Sequence, residues 1–424
     1  MSKFVVYNSG PLLGSVESSG SKNAVLPLLA ATLLTEETCE IKDVPEILDV
    51  EHMCLIIESF GANVKWDKAK KLISVHASEI TTSVAPFDLV QKMRASVLAM
   101  GPLLGRTGHA MASLPGGCAI GDRPIDMHLK GFNALGAETE TKVDSDGRGF
   151  AEAKANKLTG AEIYLDSPSV GATENIIMAA VLAVGTTVIE NAAQEPEIID
   201  LANYLNKMGS KIKGAGTDVI KIEGVDKLHG ATHAVIPDRI VAGTFMLAAA
   251  ITRGKVCITN MLPNHVKPIS AKLRECGVII EEGDEEIYVR ADEAPLRSTD
   301  IKTLPYPGFP TDVQPQFMTF LTTVDGASNI LETVFENRFM HVAQLNLMGA
   351  DILEDGRKAM IPGRRILKGT SVTATDLRAG AALILAGFAA SNETIIHDAE
   401  YIERGYDDIK ARFAGLGGRI EMIK

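Results

Sequence analysis

The sequence predicts an α/β protein built from six copies of one unit, arranged as two domains. An amphipathic helix pattern that ends at a glycine and leads into a short strand occurs six times along the chain. A second helix in each unit is apolar nearly all round, which indicates that it is buried. With 424 residues the chain is also too long for one ordinary hydrophobic core.

The amphipathic helices end at glycines that recur about every 70 residues. Glycine adopts the left-handed conformation that commonly ends a helix, so each of these positions predicts a helix C-terminus. The positions are Gly61, Gly136, Gly209, Gly277, Gly349 and Gly417.

Six units divide naturally into two domains of three, with the break near residues 230–236, before Pro237 opens the fourth unit. We expect a first domain over residues 22–234 and a second over residues 1–21 plus 235–424. The strand pattern Phe4–Tyr7 precedes the first unit and is left over. It is predicted to complete the second domain, so that two strands cross between the domains.

Composition narrows the class of protein. The formal net charge of −12 argues against nucleic acid as a partner. Five scattered cysteines without a CxxC pair give neither a disulfide framework nor a zinc site and fit a reducing compartment. The start of the chain shows no signal peptide, and no apolar run reaches the length of a membrane span. We therefore expect a cytoplasmic protein with no membrane partner.

The starts of the six buried helices carry different polar residues. A helix N-terminus attracts anions, so these residues are candidates for a ligand site between the domains. Ordinary capping is the alternative, and it accounts well for the aspartates. It does not account for the two cations, which are unfavourable there and predict an anionic ligand. The residues are Lys22-Asn23, Arg94, Ser169–Gly171, Asp238-Arg239, Asp312 and Asp376–Arg378.

The segment SLPGGCAIGDRPID places Cys118 after two glycines, with Arg123 five residues on. Such a loop bends easily, and a nearby guanidinium favours the thiolate and an anionic substrate. A buried, inert cysteine is the alternative. Arg338 and Arg404, at predicted turns, are weak signals alone, and His128 and His341 are expected to be supporting or structural.

With these motifs the chain resembles the enolpyruvyl transferases over essentially its whole length. The resemblance implies two inside-out α/β barrel (prism) domains, each of three βαβαββ-type units with the helices inside and a substrate cleft between the domains. The matching segments are GSKNA, KMRAS, LPGGCAIGDRPID, PSVGATENI, EPEIID, PDRI, FPTDVQ, TVFENRFMH, ATDLRA and the RGY at Arg404.

The resemblance also implies transfer of the enolpyruvyl group of phosphoenolpyruvate to the 3-hydroxyl of UDP-N-acetylglucosamine, without a metal or cofactor. Asp312 matches the candidate base for that hydroxyl. Cys118 matches the cysteine that adds to phosphoenolpyruvate or transfers a proton, and that fosfomycin alkylates. Lys22, Arg123 and Arg404 are implied for phosphoenolpyruvate, with Arg94 nearby. The remaining implied substrate-binding residues are Asn23, Pro124, Asp126, Ser169, Val170, Gly171, Asp238, Val334, Arg338, Asp376 and Leu377.

One departure and two alternatives remain. Some relatives carry a lysine before the Ser-Val-Gly motif, whereas this chain has Asp166-Ser167-Pro168, so main-chain N–H groups near Val170 are the expected diphosphate contact. A sister enzyme acting on shikimate 3-phosphate shares the fold, but Asn23 and Cys118 argue against it. A catalytically silent regulatory paralogue would be expected to lack Cys118, Asp312 or Arg404.

Overall fold

The computed structural model describes residues 2–86, 89, 94–114, 125–143, 148–293 and 295–423, with residues 94–96 through their backbone. The described residues form two compact units. The first unit begins at Gly20 and ends at Ile236, and the second joins the segment before Gly20 to the segment from Pro237 onward. The expected boundaries were 21/22 and 234/235.

The elements up to Ile236 are, in chain order, β1 Lys3–Tyr7, β2 Leu13–Glu17, α1 Lys22–Ala31, β3 Thr38–Lys42, α2 Leu48–Ser59, β4 Asn63–Asp67, β5 Leu72–His76, α3 Met100–Thr107, β6 His109–Ser113, α4 Asp126–Ala134, β7 Glu138–Val143, β8 Gly149–Lys154, β9 Glu162–Tyr164, α5 Val170–Ala180, β10 Thr186–Glu190, α6 Pro196–Lys207, β11 Lys211–Lys213, β12 Val219–Glu223 and β13 Thr232–Ala234.

The elements after Ile236 are α7 Arg239–Ile251, β14 Lys255–Thr259, α8 Lys267–Glu275, β15 Ile279–Glu282, β16 Glu286–Arg290, β17 Ile301–Lys302, α9 Gln314–Leu321, β18 Ser328–Leu331, α10 Met340–Leu347, β19 Leu353–Asp355, β20 Lys358–Ile361, β21 Ser371–Thr373, α11 Leu377–Ala389, β22 Thr394–His397, α12 Glu400–Glu403, α13 Ile409–Gly415 and β23 Arg419–Ile423. Single 3-10 turns span Thr32–Leu34, Arg94–Ala99, Pro263–Val266 and Thr311–Val313.

In the first unit the described strands form three sheets, with orders β11-β12-β10-β9, β13-β3-β5-β4 and β6-β8-β7. The third sheet has three strands because its expected first strand is reduced to the single parallel bridge between Val84 and Met111. Pro86 follows that bridge and has no N–H to extend the ladder. Helices α1, α3 and α5 lie in the apolar core of this unit.

In the second unit the sheet orders among the described strands are β21-β22-β1-β23, β15-β16-β14-β2 and β17-β18-β20-β19. Strand β1 pairs with both β22 and β23, and β2 pairs in parallel with β14. The expectation for Phe4–Tyr7 is therefore confirmed. Helices α7, α9 and α11 are almost wholly buried in the core of this unit.

The predicted repeat is clearest in β17-α9-β18-α10-β19-β20, which reads strand, buried helix, strand, outer helix and two strands. The outer helix of each repeat ends as predicted, because all six glycines have φ between +86° and +104°. Two strands do not pair within the unit of the helix that follows them. Strand β13 directly precedes α7 of the second unit but pairs with β3 of the first, and β2 precedes α1 of the first unit but pairs with β14 of the second. Helices α1, α5, α7, α9 and α11 each follow an edge strand of a sheet, namely β2, β9, β13, β17 and β21, and the candidate residues lie at or just before the starts of these helices.

Candidate functional site

Helices α1, α5, α7 and α11 begin where the sequence predicted, whereas α3 and α9 begin only after the 3-10 turns Arg94–Ala99 and Thr311–Val313. Ser21 and Ser169 cap α1 and α5 with their hydroxyl oxygens, which accept from backbone N–H groups. Asp238 and Asp376 cap α7 and α11 with a carboxylate oxygen that accepts two N–H groups each. Capping thus describes these two aspartates.

Asp312 does not cap α9, whose N-cap is Val313 without a side-chain cap, so the alternative of ordinary capping does not describe it. It lies in the 3-10 turn Thr311–Val313 that leads into α9. Its Oδ1 accepts from Arg338 at 3.0 Å, and its Oδ2 accepts from Arg378 Nε and Nη2 at 3.2 and 3.1 Å. The carboxylate is 27% exposed, whereas the two arginine side chains are 1% and 3% exposed. Two buried guanidinium groups therefore hold one partly exposed carboxylate.

A second layer of hydrogen bonds supports this carboxylate. Gln316 donates to the Asp312 carbonyl at 3.1 Å and lies 3.3 Å from the Tyr406 hydroxyl. The Tyr406 hydroxyl is also 3.0 Å from Thr244, and its ring lies under the Arg378 guanidinium. Burial opposes the charge of Arg378, but the neighbouring Asp312 favours it, and the pKa of Arg378 is raised overall.

Arg338 also connects Asp312 with α11. Its Nη1 lies 3.7 Å from Asp376 Oδ1, and it donates to the Thr311 carbonyl. His341, fully buried, donates from Nδ1 to the Arg338 carbonyl at 3.1 Å. Burial lowers the pKa of His341 to about 4, so this histidine is neutral and supports the arginine, as expected of a structural residue.

The other predicted residues of the second unit lie around these helix starts. The Val334 N–H donates to Glu332, whose other oxygen accepts from Thr311, the neighbour of Asp312. Leu377 is the first residue of α11. Arg404 directly follows α12 and is half-buried.

In the first unit, Lys22 is the first residue of α1 and pairs with Asp49 of α2 at 2.6 Å. The sequence argument that Lys22 needs an anionic ligand was therefore incomplete, because a buried carboxylate of the same unit already balances its charge. Asn23, next along α1, is half-buried. Asp49 lies in the first turn of α2, ahead of an apolar run, and nothing local in the sequence pairs it with Lys22.

Two further candidate segments of this unit lie at helix starts. Asp126 is the exposed first residue of α4, and Val170 and Gly171 open α5 after the Ser169 cap. Lys130 of α4 is a cation near the start of α5, but it pairs with Asp166 at 2.9 Å, which balances its charge. Cys118, Arg123 and Pro124, and the side chain of Arg94, lie outside the described residues.

A groove of about 850 Å³ lies elsewhere on the second unit. Residues of α8 and of β17, β18, β19 and β20 line it, and none of the predicted site residues is among them. Within the described ranges, no helix combines the length and apolar character that crossing a bilayer requires.

Comparisons with known proteins complete the picture. A family model described as EPSP synthase (3-phosphoshikimate 1-carboxyvinyltransferase) matches residues 6–413. A UDP-N-acetylglucosamine 1-carboxyvinyltransferase 1 of Caldanaerobacter subterraneus is 56% identical over 418 residues, 99% of each chain. A UDP-N-acetylglucosamine 1-carboxyvinyltransferase 2 of Carboxydothermus hydrogenoformans is 54% identical over 424 residues, the full length of both.

Two solved structures share the fold. The enolpyruvyl transferase NikO from Streptomyces tendae matches with a TM-score of 0.88 at 25% identity, over 100% of this chain and 99% of that one. EPSP synthase from Acinetobacter baumannii matches with a TM-score of 0.77 over the full length of both chains. At 18% identity the second likeness shows the fold alone.

Proposed function

Because the chain belongs to the enolpyruvyl transferase family, we propose that it transfers the enolpyruvyl group of phosphoenolpyruvate to the 3-hydroxyl of UDP-N-acetylglucosamine. The relatives that carry this activity in their names match from end to end at more than half identity. The reaction would be the first committed step of peptidoglycan synthesis. Residues of both units are assigned to the substrates.

The chemistry is an addition followed by an elimination. The sugar oxygen forms a bond to C2 of phosphoenolpyruvate and loses its proton to a base, while C3 gains a proton and becomes a methyl group. The resulting tetrahedral ketal then loses phosphate from C2 and a proton from the methyl group, which restores the double bond. The addition and the elimination each need one group that accepts a proton and one that donates a proton.

The observation that carries the proposal is the Asp312 carboxylate. The buried guanidinium groups of Arg338 and Arg378 fix its orientation, and the carboxylate stays partly exposed beside the start of α9. A carboxylate within hydrogen-bond reach is a suitable acceptor for a sugar hydroxyl proton. Arg338 was expected to bind substrate; because its side chain and that of Arg378 are almost fully buried against Asp312, we assign both to positioning this carboxylate.

Phosphoenolpyruvate carries two anionic groups, and fixed cations would bind them and stabilise the charge of the ketal. We assign Lys22, Arg123 and Arg404 to this role, with Arg94 beside them. The nucleotide sugar is assigned to residues at the helix starts and neighbouring turns, namely Asn23, Pro124, Asp126, Ser169, Val170, Gly171, Asp238, Val334, Asp376 and Leu377.

Cys118 is assigned to proton transfer or to covalent addition to phosphoenolpyruvate, and to alkylation by the epoxide fosfomycin. The two roles can be separated, because an aspartate transfers protons but forms no sulfur adduct. Cys118→Asp should keep turnover within about tenfold and lose alkylation by fosfomycin. Cys118→Ser should be far less active, because a hydroxyl is a much weaker acid. Intact-mass spectrometry and phosphate release measure both, and an aspartate variant as inactive as the serine variant would show that sulfur chemistry is required.

The deciding experiment measures phosphate release from phosphoenolpyruvate with each acceptor. UDP-N-acetylglucosamine should support turnover, and shikimate 3-phosphate should not. Turnover with shikimate 3-phosphate alone would assign the chain to the sister activity that the family model's description names. Binding of the nucleotide sugar without turnover would instead identify a regulatory paralogue.

A further inference from the structure

A histidine on α4, His128, borders the first turn of α5. The two helices approach closely at Gly131, where an added Cβ would lie 2.3 Å from the Ile176 side chain. One turn earlier on each helix, the His128 ring lies beside Gly171: its Cε1 and Nε2 atoms are 3.3 and 3.5 Å from the position of a Cβ on that glycine. The close crossing thus sets an imidazole against the Ser169–Gly171 turn.

The neighbouring Asn175 has a fixed amide orientation. Its Oδ1 accepts from the Gly101 N–H at 2.7 Å, and its Nδ2 donates to the Val97 carbonyl at 2.9 Å. Asn175 is fully buried, so a flipped amide would set like groups against each other without water to relieve them. The backbone therefore decides which atom of this side chain is nitrogen.

The amide orientation in turn decides the protonation of His128. Asn175 Nδ2 lies 2.8 Å from His128 Nδ1, and a nitrogen that carries only donors requires an acceptor there. Nδ1 must be unprotonated, so the neutral ring carries its proton on Nε2, the nitrogen nearer to Gly171. A proton on Nδ1 would oppose two N–H groups across this contact. Asn175 places the proton on Nε2, whether or not another group accepts from Nε2 before a ligand binds.

We propose that His128 donates from Nε2 to the diphosphate of the nucleotide sugar at the start of α5. This role rests on the proposed function, and it supplies the side-chain donor that Asp166-Ser167-Pro168 lacks. Lys130 is the nearby cation on the same helix, but it is paired with Asp166. A donor next to the main-chain N–H groups of α5 adds a hydrogen bond to a bound diphosphate.

The test compares the binding of UDP and of uridine at pH 7.5 by calorimetry. His128→Phe keeps the ring and removes the donor, so it should weaken UDP about tenfold or more and leave uridine unchanged, as expected for one hydrogen bond to a charged group. His128→Gln keeps a donor and should stay within about threefold of the wild type. Lys130→Gln, on the same helix, is the matched control and should change UDP affinity less than about twofold.

The outcomes separate the two claims. Wild-type turnover with an unchanged UDP affinity in His128→Phe would overturn the role of His128 and leave the proposed function intact. No turnover of UDP-N-acetylglucosamine by the wild type would overturn the proposed function, and the role of His128 with it.

Discussion

The two units use one scaffold, but the starts of their buried helices differ in charge. In the first unit these positions hold a lysine, an arginine and a serine-led turn, whereas in the second they hold Asp238, Asp312 and Asp376. A helix N-terminus favours anions, so the aspartates are stabilised where they stand. The cation Lys22 is tolerated because Asp49 balances it. The comparison teaches that the sign of a residue at a helix start does not identify its function until its partners are known.

The largest effect is expected at Lys22. Lys22→Met removes a proposed substrate contact and leaves Asp49, 3% exposed, without its cation. Breaking a buried ion pair costs about 3 kcal/mol or more, so the free energy of unfolding should fall by that amount and phosphate release should be lost. Denaturant unfolding and a turnover assay measure the two effects.

The double variant Lys22→Met with Asp49→Asn is the control for this prediction. Removing the second charge should restore most of the stability without restoring turnover. Recovery of turnover together with stability would mean that Lys22 contributes only to the stability of the fold. The difference in charge between the helix starts of the two units would then have no consequence for function.

The next effect is expected at Asp312, the one aspartate of the three that caps no helix. Asp312→Asn keeps an oxygen for one arginine but removes the proton acceptor. Turnover should fall about a hundredfold or more, the scale of acid–base assistance, with KM for the nucleotide sugar little changed. Steady-state kinetics measure both parameters, and near-normal turnover would reduce Asp312 to a structural anchor for its arginines.

Much of this arrangement could be predicted from local sequence, and some of it could not. Four of the six buried-helix starts, the six terminal glycines and the strand Phe4–Tyr7 follow from short patterns, and the structure confirms them. The pairings of Lys22 with Asp49 and of Asp312 with Arg378 join residues that are 27 and 66 positions apart. Only the packing of buried helices brings such residues together, so a single sequence gives the candidates but not their partners.

A third, pH-dependent effect is expected at Glu174 in the core of the first unit. Burial, with a smaller contribution from Glu197 and Glu195, raises the pKa of Glu174 well above its usual value. The folded state therefore binds a proton that the unfolded state releases above about pH 4. The stability that Glu174 contributes is present below that pH and is lost as the pH rises toward its folded pKa.

Glu174→Gln should therefore increase the free energy of unfolding at pH 8, and the gain should shrink toward pH 4. Glu152→Gln, in the same unit, is the opposite control. Hydrogen bonds from Lys142, Lys154 and His109 lower the pKa of Glu152, so its contribution is present at neutral pH and is lost as the pH falls below the usual glutamate range. Urea unfolding from about pH 2 to 8 measures both, and parallel pH profiles for the two variants would contradict the opposite signs.

The smallest effects are expected at the caps, where the two units can be compared directly. Asp238 accepts two N–H groups at 2.8 and 3.0 Å with a charged oxygen, whereas Ser21 accepts one at 3.3 Å with a neutral hydroxyl. Asp238→Ala should lower the free energy of unfolding by about 2 kcal/mol and Ser21→Ala by about 0.5 kcal/mol. Asp238→Asn keeps a capping oxygen without the charge and should fall between them. Both positions are equally buried helix starts. If removing the serine cap costs as much as removing the aspartate cap, the charge of the aspartate adds nothing to the stability of these helix termini. The difference between the units would then have to come from ligand binding alone.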